Sequence, residues 1–253
     1  MNTLKYIITA AILYITAACS TTHYTVREST GHTIPVTARL DASPDTAVAS
    51  IINIYKTKVD SITSRIIGES AIAMEVERPQ SLLSNFTSDL LIETANKNSE
   101  KKCDFGIMNI GGIRTSLPKG NITVGNIFSI FPFENSLSIV TLKGADVKHL
   151  FDIIARRGGE GVSKEVKVRI GKDKKVHELK INGKEVIDSQ LYTIATIDYL
   201  ANGNDELTPL KKSVLRTDLD LRLRDIMLQY IESKTVKGEK LNTSLDNRLT
   251  IEK

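Results

Sequence analysis

The period at which apolar residues recur changes along this chain, and the switch from helical spacing to alternation at Val166 constrains its fold more than any other feature. Ser43-Pro44-Asp45 supplies a cap, a first-turn proline and a first-turn acid, after which Val48, Ile51, Ile52, Tyr55, Val59 and Ile62 recur at helical spacing. Leu82, Leu83, Phe86, Leu90 and Leu91 mark one face of a second helix. Thr123 caps a short helix running to Ile130, and Val147, Leu150, Phe151 and Ile154 give another within Gly144 to Ala155. From Val166 the pattern alternates instead. Val166 to Ile170 and Val176 to Ile181 read as strands joined by a turn at Gly171 to Lys174, Asn182-Gly183 marks a second tight turn, and Leu191 to Thr196 is a further strand. Helical spacing returns at Leu219, Leu223, Ile226, Met227, Tyr230 and Ile231. Helices segregated from hairpins imply an α+β fold: a mixed sheet with helices to one side and a β-meander, not a doubly wound sheet.

Further strands fall at Arg65 to Met74, from Cys103 up to Asn109, and at Leu137 to Leu142. The second of these breaks abruptly. Phe105, Ile107 and Met108 lead into Asn109-Ile110-Gly111-Gly112-Ile113-Arg114, where two glycines let backbone approach a ligand between an amide and a guanidinium. Some twenty residues on, Phe131-Pro132-Phe133-Glu134-Asn135-Ser136 sets an aromatic ring on a rigid turn. A third such stretch, Tyr199-Leu200-Ala201-Asn202-Gly203-Asn204-Asp205, follows the strand that ends at Thr196.

These three stretches, in this order, resemble the C-terminal domain of the 5'-nucleotidase and UDP-sugar hydrolase family. The family's patterns are Asn-Gly-Gly-Gly-Ile-Arg, Leu-Pro-Phe-Gly-Asn and Phe-Leu-Ala-x-Gly-Gly-Asp, and the resemblance covers roughly residues 43 to 251. It implies that Phe133 and Tyr199 flank a nucleobase. Every base has a π-face, so a two-ring clamp tolerates purines and pyrimidines alike. It implies that Asp205 accepts hydrogen bonds from ribose hydroxyls, that Arg114 approaches a phosphate with its planar fork, and that Asn109 lies by the nucleoside. Asn135 would meet the base edge, and Gly111 and Gly112 would shape the backbone beside it. Arg78, just upstream of the second helix, is a weaker candidate, displaced by one residue from the family's pattern.

The chain departs from the family most at four glycine positions, and Tyr199 stands where the family usually has phenylalanine. Ile110, Glu134, Asn204 and Glu206 replace glycines. Asn204 is tolerable if the backbone there is left-handed. The two added carboxylates would weaken binding of anionic ligands and favour nucleosides over nucleotides.

The complete family enzyme also carries a metallophosphoesterase domain with Asp-x-His and Gly-Asn-His-Asp motifs. None of these occurs in this sequence, whose histidines are His23, His32, His149 and His177, without ligand spacing. The resemblance therefore implies no cofactor in this chain, divalent metals in a separate partner phosphoesterase, and no phosphoester hydrolysis by this polypeptide alone.

At the N-terminus, Lys5 precedes an apolar stretch, Tyr6 to Ala18, too short to span a bilayer but suited to a signal-peptide core. Ile15-Thr16-Ala17-Ala18-Cys19 resembles a bacterial lipobox. Residues 1–18 are thus expected to be a lipoprotein leader, Cys19 the lipidation site, residues 19–42 a tether with one edge strand at Thr33 to Leu40, and residues 43–253 a single domain. A flexible tether of this length spans about 25 Å root-mean-square. The expected location is the bacterial cell envelope, lipid-anchored at the outer membrane, with the domain in the periplasm or at the surface. Cys103 then has no disulfide partner and reads as a core residue. With 41% apolar residues the chain can bury a real core, and its formal charge of +4 is scattered among acids, which disfavours nucleic-acid binding.

Three functions remain open on the sequence: the substrate-binding half of a split 5'-nucleotidase, a non-catalytic nucleoside-binding lipoprotein, and a surface interaction domain that has lost its site.

Overall fold

The computed structural model describes residues 24–252. The expected leader, Cys19 and His23 lie outside them. The chain divides into two units, one ending at Ile52 and one beginning at Asn53. In the first, no strand forms between Thr33 and Leu40; the backbone is irregular up to Thr37 and then takes a 3-10 turn, Ala38–Ala42. Gly31 and Pro35 interrupt this stretch.

Helix α1 is Thr46–Thr63. Its cap is Asp45, two residues later than expected, whose carboxylate accepts from the Ala47 and Val48 amides at 2.9 and 3.1 Å. The periodic apolar residues do form a helix, but none of them is buried. Among the described residues, no helix is long and apolar enough to cross a membrane.

From Asn53 on, an α+β arrangement follows. The strands are β1 Ile66–Ser70, β2 Phe105–Met108, β3 Gly120–Thr123, β4 Ser136–Lys143, β5 Gly161–Val162, β6 Val166–Ile170, β7 Val176–Ile181, β8 Lys184–Glu185, β9 Leu191–Ile197, β10 Leu215–Arg222 and β11 Leu249–Ile251. The helices are α2 Leu82–Asn98, α3 Val124–Ile130, α4 Gly144–Arg156, the single-turn α5 Asp198–Ala201, and α6 Leu223–Val236. A mixed five-stranded sheet runs β10-β4-β9-β2-β5, with β2 parallel to β9 and the other pairs antiparallel. The meander, β6-β7-β8, gains β11 as a parallel edge strand.

Two differences from expectation have simple causes. Leu219 belongs to β10, not to the last helix, because Leu215, Thr217, Leu219 and Leu221 alternate with Arg216, Asp218, Asp220 and Arg222. Strand β1 stops at Ser70, short of Met74, which makes only an isolated bridge with Leu117.

Strand β2 is buried along its whole length, and successive residues meet opposite neighbours. Phe105 packs on Phe151 of α4, with ring centroids 5.8 Å apart, whereas Gly106 faces α2. The sheet is thus covered by helices on both sides at this strand, a refinement of the one-sided arrangement. A Cβ on Gly106 would lie 2.6 Å from the Ser88 carbonyl oxygen, so only glycine lets α2 sit this close. Helix α2 is fixed at its start by a reciprocal cap between Ser81 and Ser84. Cys103 is buried, as expected of a core thiol, and burial followed by the Asp104 charge pushes its pKa up to about 12.

Candidate functional site

Strand register explains why three distant stretches meet. Strand β2 runs parallel to β9, Gly106 beside Ala195, so both strands end at the same edge of the sheet. Strand β4 is antiparallel to β9, with Leu137 beside Ile197, so its first residues lie at that same edge. The turn after β2, the loop before β4 and the turn after β9 therefore converge. Asp198 ties two of them together, its Oδ1 accepting from the Ser136 amide at 3.2 Å and the Tyr199 amide at 2.7 Å.

The result is a cleft of about 320 Å³ lined by Asn109, Gly111, Gly112, Arg114, Phe133, Asn135, Tyr199 and Asp205. All eight residues singled out from the sequence line it. Phe133 and Tyr199 are 48% and 37% exposed, so neither ring is a core residue. Arg114 is exposed, its Nη1 donating to the Gly111 carbonyl at 3.0 Å.

Asp205 is the polar centre. Its Oδ2 accepts from Asn109 Nδ2 at 2.7 Å and its Oδ1 from the Tyr199 hydroxyl at 3.0 Å. A carboxylate offers about four lone-pair sites, so two remain for a ligand's hydroxyls. The hydrogen bond to Asp205, then desolvation, raises the Tyr199 pKa and keeps the phenol protonated. Asn109 is buried, and its Oδ1 has no hydrogen-bond partner. A Cβ on Gly112 would lie 2.7 Å from that oxygen, whereas one on Gly111 would meet Asp205 at an ordinary 3.5 Å.

The left-handed backbone falls at Asp205 and Glu206, with φ of 52° and 63°, not at Asn204. Asn204 serves otherwise: its Nδ2 donates to the Tyr199 carbonyl at 2.8 Å and braces the turn.

The replaced glycines also behave differently from expectation. Glu134 pairs with Arg224 at 3.1 Å and approaches Arg222 at 3.8 Å, and Glu206 lies 3.9 Å from Arg157. Each added carboxylate has a guanidinium beside it, which offsets the repulsion an anionic ligand would meet.

Beneath the cleft lies a group that the sequence did not reveal. Glu160 has a fully buried side chain and accepts from Arg157 Nε and Arg78 Nη2, both at 2.8 Å, and from the Ile110 amide at 2.7 Å. Burial disfavours the charged form of Arg157, but the Glu160 hydrogen bond and charge, with Asp205 and Glu206, outweigh it and raise the pKa. Arg157 Nη2 is 3.9 Å from Asp205 Oδ2, so this layer joins the glycine turn to the carboxylate. Arg78 points into it, its Nη1 donating to the Gly159 carbonyl at 2.6 Å, and does not line the cleft. No motif flags Arg157 or Glu160, which sit on the connection after α4, about fifty residues from the turn they brace.

Among the described residues no group of three or more His, Cys, Asp and Glu side chains is placed to hold a metal ion. His177, on β7, lies 3.2 Å from Asp173 and 3.3 Å from Glu252, away from the cleft.

The fold and site define an α+β domain with a half-exposed aromatic cleft at one end of a mixed sheet. Residues 53–212 match the 5'-nucleotidase, C-terminal domain family, and the chain belongs to that family. It is 25% identical to a 5'-nucleotidase of Vibrio parahaemolyticus over 197 residues, 76% of this chain and 35% of the relative. It is 34% identical to the endonuclease YhcR of Bacillus subtilis over 112 residues, 43% of this chain and 9% of that protein. The fold matches a 5'-nucleotidase precursor from Thermus thermophilus with a TM-score of 0.70 at 21% identity, covering 83% of this chain and 44% of that one. The chain thus spans less than half the length of these relatives.

Proposed function

We propose that this chain is the substrate-binding half of a split 5'-nucleotidase, acting in nucleotide hydrolysis with a separate metallophosphoesterase chain. One observation carries the reading: two half-exposed rings, a carboxylate and an exposed guanidinium from three separate strand ends share one cleft. Phe133 and Tyr199 stack on either side of the base, which excludes water from its faces. Asp205 receives the ribose hydroxyls on its two free lone pairs, while Asn109 and Arg157 hold its carboxylate in place. Asn135 meets the base edge, and Arg114 steadies the phosphate. Divalent metals held by the partner would activate water and stabilise the phosphoryl oxygens.

In this reading the chain carries a lipoprotein leader over residues 1–18, is lipidated at Cys19, and stands off the outer membrane on the tether to residue 42.

Purified protein mixed with candidate metallophosphoesterases and a divalent metal is expected to raise the release of phosphate from AMP. If every candidate partner is equally active alone, the split-enzyme reading fails. Thermal stabilisation by adenosine without any effect on a partner would instead support a non-catalytic nucleoside-binding lipoprotein. No stabilisation by adenosine, uridine, AMP or a UDP-sugar would contradict both.

A further inference from the structure

Phe133 sits in a loop that is held at both ends. Phe131 is buried on one side, and on the other the Asn135 carbonyl accepts from the Leu223 amide at 2.9 Å. Between them Phe133 is half-exposed, so packing alone does not fix its ring. Its neighbour Glu134 turns away from the cleft and reaches the start of α6, where Oε1 accepts from Arg224 Nη2 at 3.1 Å. Arg224 is itself immobilised: its side chain is 9% exposed, and its guanidinium lies over the Phe128 ring, 4.1 Å from the centroid. Arg222 adds a second positive charge 3.8 Å from Glu134 Oε2.

We propose that Glu134 is a positioning residue that latches the Phe133 loop to Arg224 on α6 and so sets the place of the aromatic ring at the cleft. An exposed ion pair between two mobile side chains holds little. Here one partner is already fixed by burial and by stacking on Phe128, so only Glu134 must be ordered. The residue before it carries the ring, and a small shift of that backbone would move one wall of the cleft. The consequence for ligands rests on the reading that Phe133 stacks on a nucleobase; the latch itself does not.

The chain contains no tryptophan, so Phe133→Trp gives a single fluorescent reporter at the ring position. In that background Glu134→Gly is expected to lower the fluorescence anisotropy. Arg224→Met should match it, and the double variant should fall no further. Glu134→Asp, which keeps the charge on a shorter stem, should recover part of the loss. Unchanged anisotropy in Glu134→Gly would overturn the latch, and because Glu134 is mostly exposed this variant should fold even if Arg224→Met does not. In the chain with Phe133 intact, calorimetric titration with adenosine should give a Kd about three- to tenfold weaker for Glu134→Gly, the cost of leaving a loop side chain to be ordered on binding. Equal affinities would overturn the latch's effect on the ligand. If adenosine binds neither protein, the nucleoside reading fails and the anisotropy still decides the latch.

Discussion

The Tyr199 hydroxyl donates a 3.0 Å hydrogen bond to Asp205 Oδ1, so the ring that flanks the cleft is fastened to the carboxylate at its floor. The family pattern has phenylalanine at this position, which could not make the bond. Tyr199→Phe is expected to keep nucleoside affinity within about threefold, because the ring remains, and to cost less than about 1 kcal/mol of stability. Tyr199→Ala should lose about 1–3 kcal/mol of binding through stacking. Titration with adenosine, with a melting curve for each variant, separates the two effects. Equal losses in both variants would mean that the hydroxyl, not the ring, matters.

The same hydrogen bond gives a pH dependence of known sign. Asp205 raises the Tyr199 pKa above its ordinary range. A phenol with a higher pKa folded than unfolded contributes its stability fully below the unfolded value of about 10, and loses it as pH rises through the folded value. The difference in tyrosinate absorbance between the native protein and Tyr199→Phe should therefore titrate above about 10. A midpoint at or below that value would contradict the bond.

Adjacent glycines should respond differently to the same substitution. Gly112→Ala would set a Cβ 2.7 Å from Asn109 Oδ1 and from Met108 Cε, and is expected to destabilise the fold by about 1–3 kcal/mol in urea unfolding. Gly111→Ala meets Asp205 only at contact distance, so it should leave stability nearly unchanged and weaken ligand binding by narrowing the cleft. The reverse order would mean that the turn after β2 is seated differently.

Arg248 clasps the chain's end to its core. Its guanidinium, 5% exposed, pairs with Asp89 at 2.7 and 3.0 Å and with Asp246 at 2.7 Å, and donates to the Val162 carbonyl at 3.0 Å. Arg248→Ala would strand Asp89, whose pKa burial already raises against the opposing pull of Arg248. A loss of about 3 kcal/mol is expected, read from the urea midpoint. A change below about 0.5 kcal/mol would show that the pair is merely a surface contact.

The grouping of the eight cleft residues was legible because each lies in a turn or loop at one end of an apolar strand, in stretches with a family pattern. Strand β10 was not, because Leu219 happens to fall in helical step with Leu223 and Ile226 while also alternating with Asp218 and Asp220. Periodicity cannot choose between the two when both fit. The Glu160 layer was hidden for another reason. Its partners, Ile110, Arg157 and Arg78, are far apart in sequence, and only the folded sheet brings them together. The partners of Glu134 and Glu206 were hidden in the same way, which is why a sequence reading assigns those carboxylates a repulsive role that Arg224 and Arg157 offset.

The central claim is that a nucleoside is held between Phe133 and Tyr199, and calorimetric titration of adenosine into the native chain and into Phe133→Ala tests it most directly. Saturable binding by the native chain, weakened about tenfold or more by the substitution, is the predicted result. Identical isotherms for the two proteins, or no heat from the native one, would contradict it.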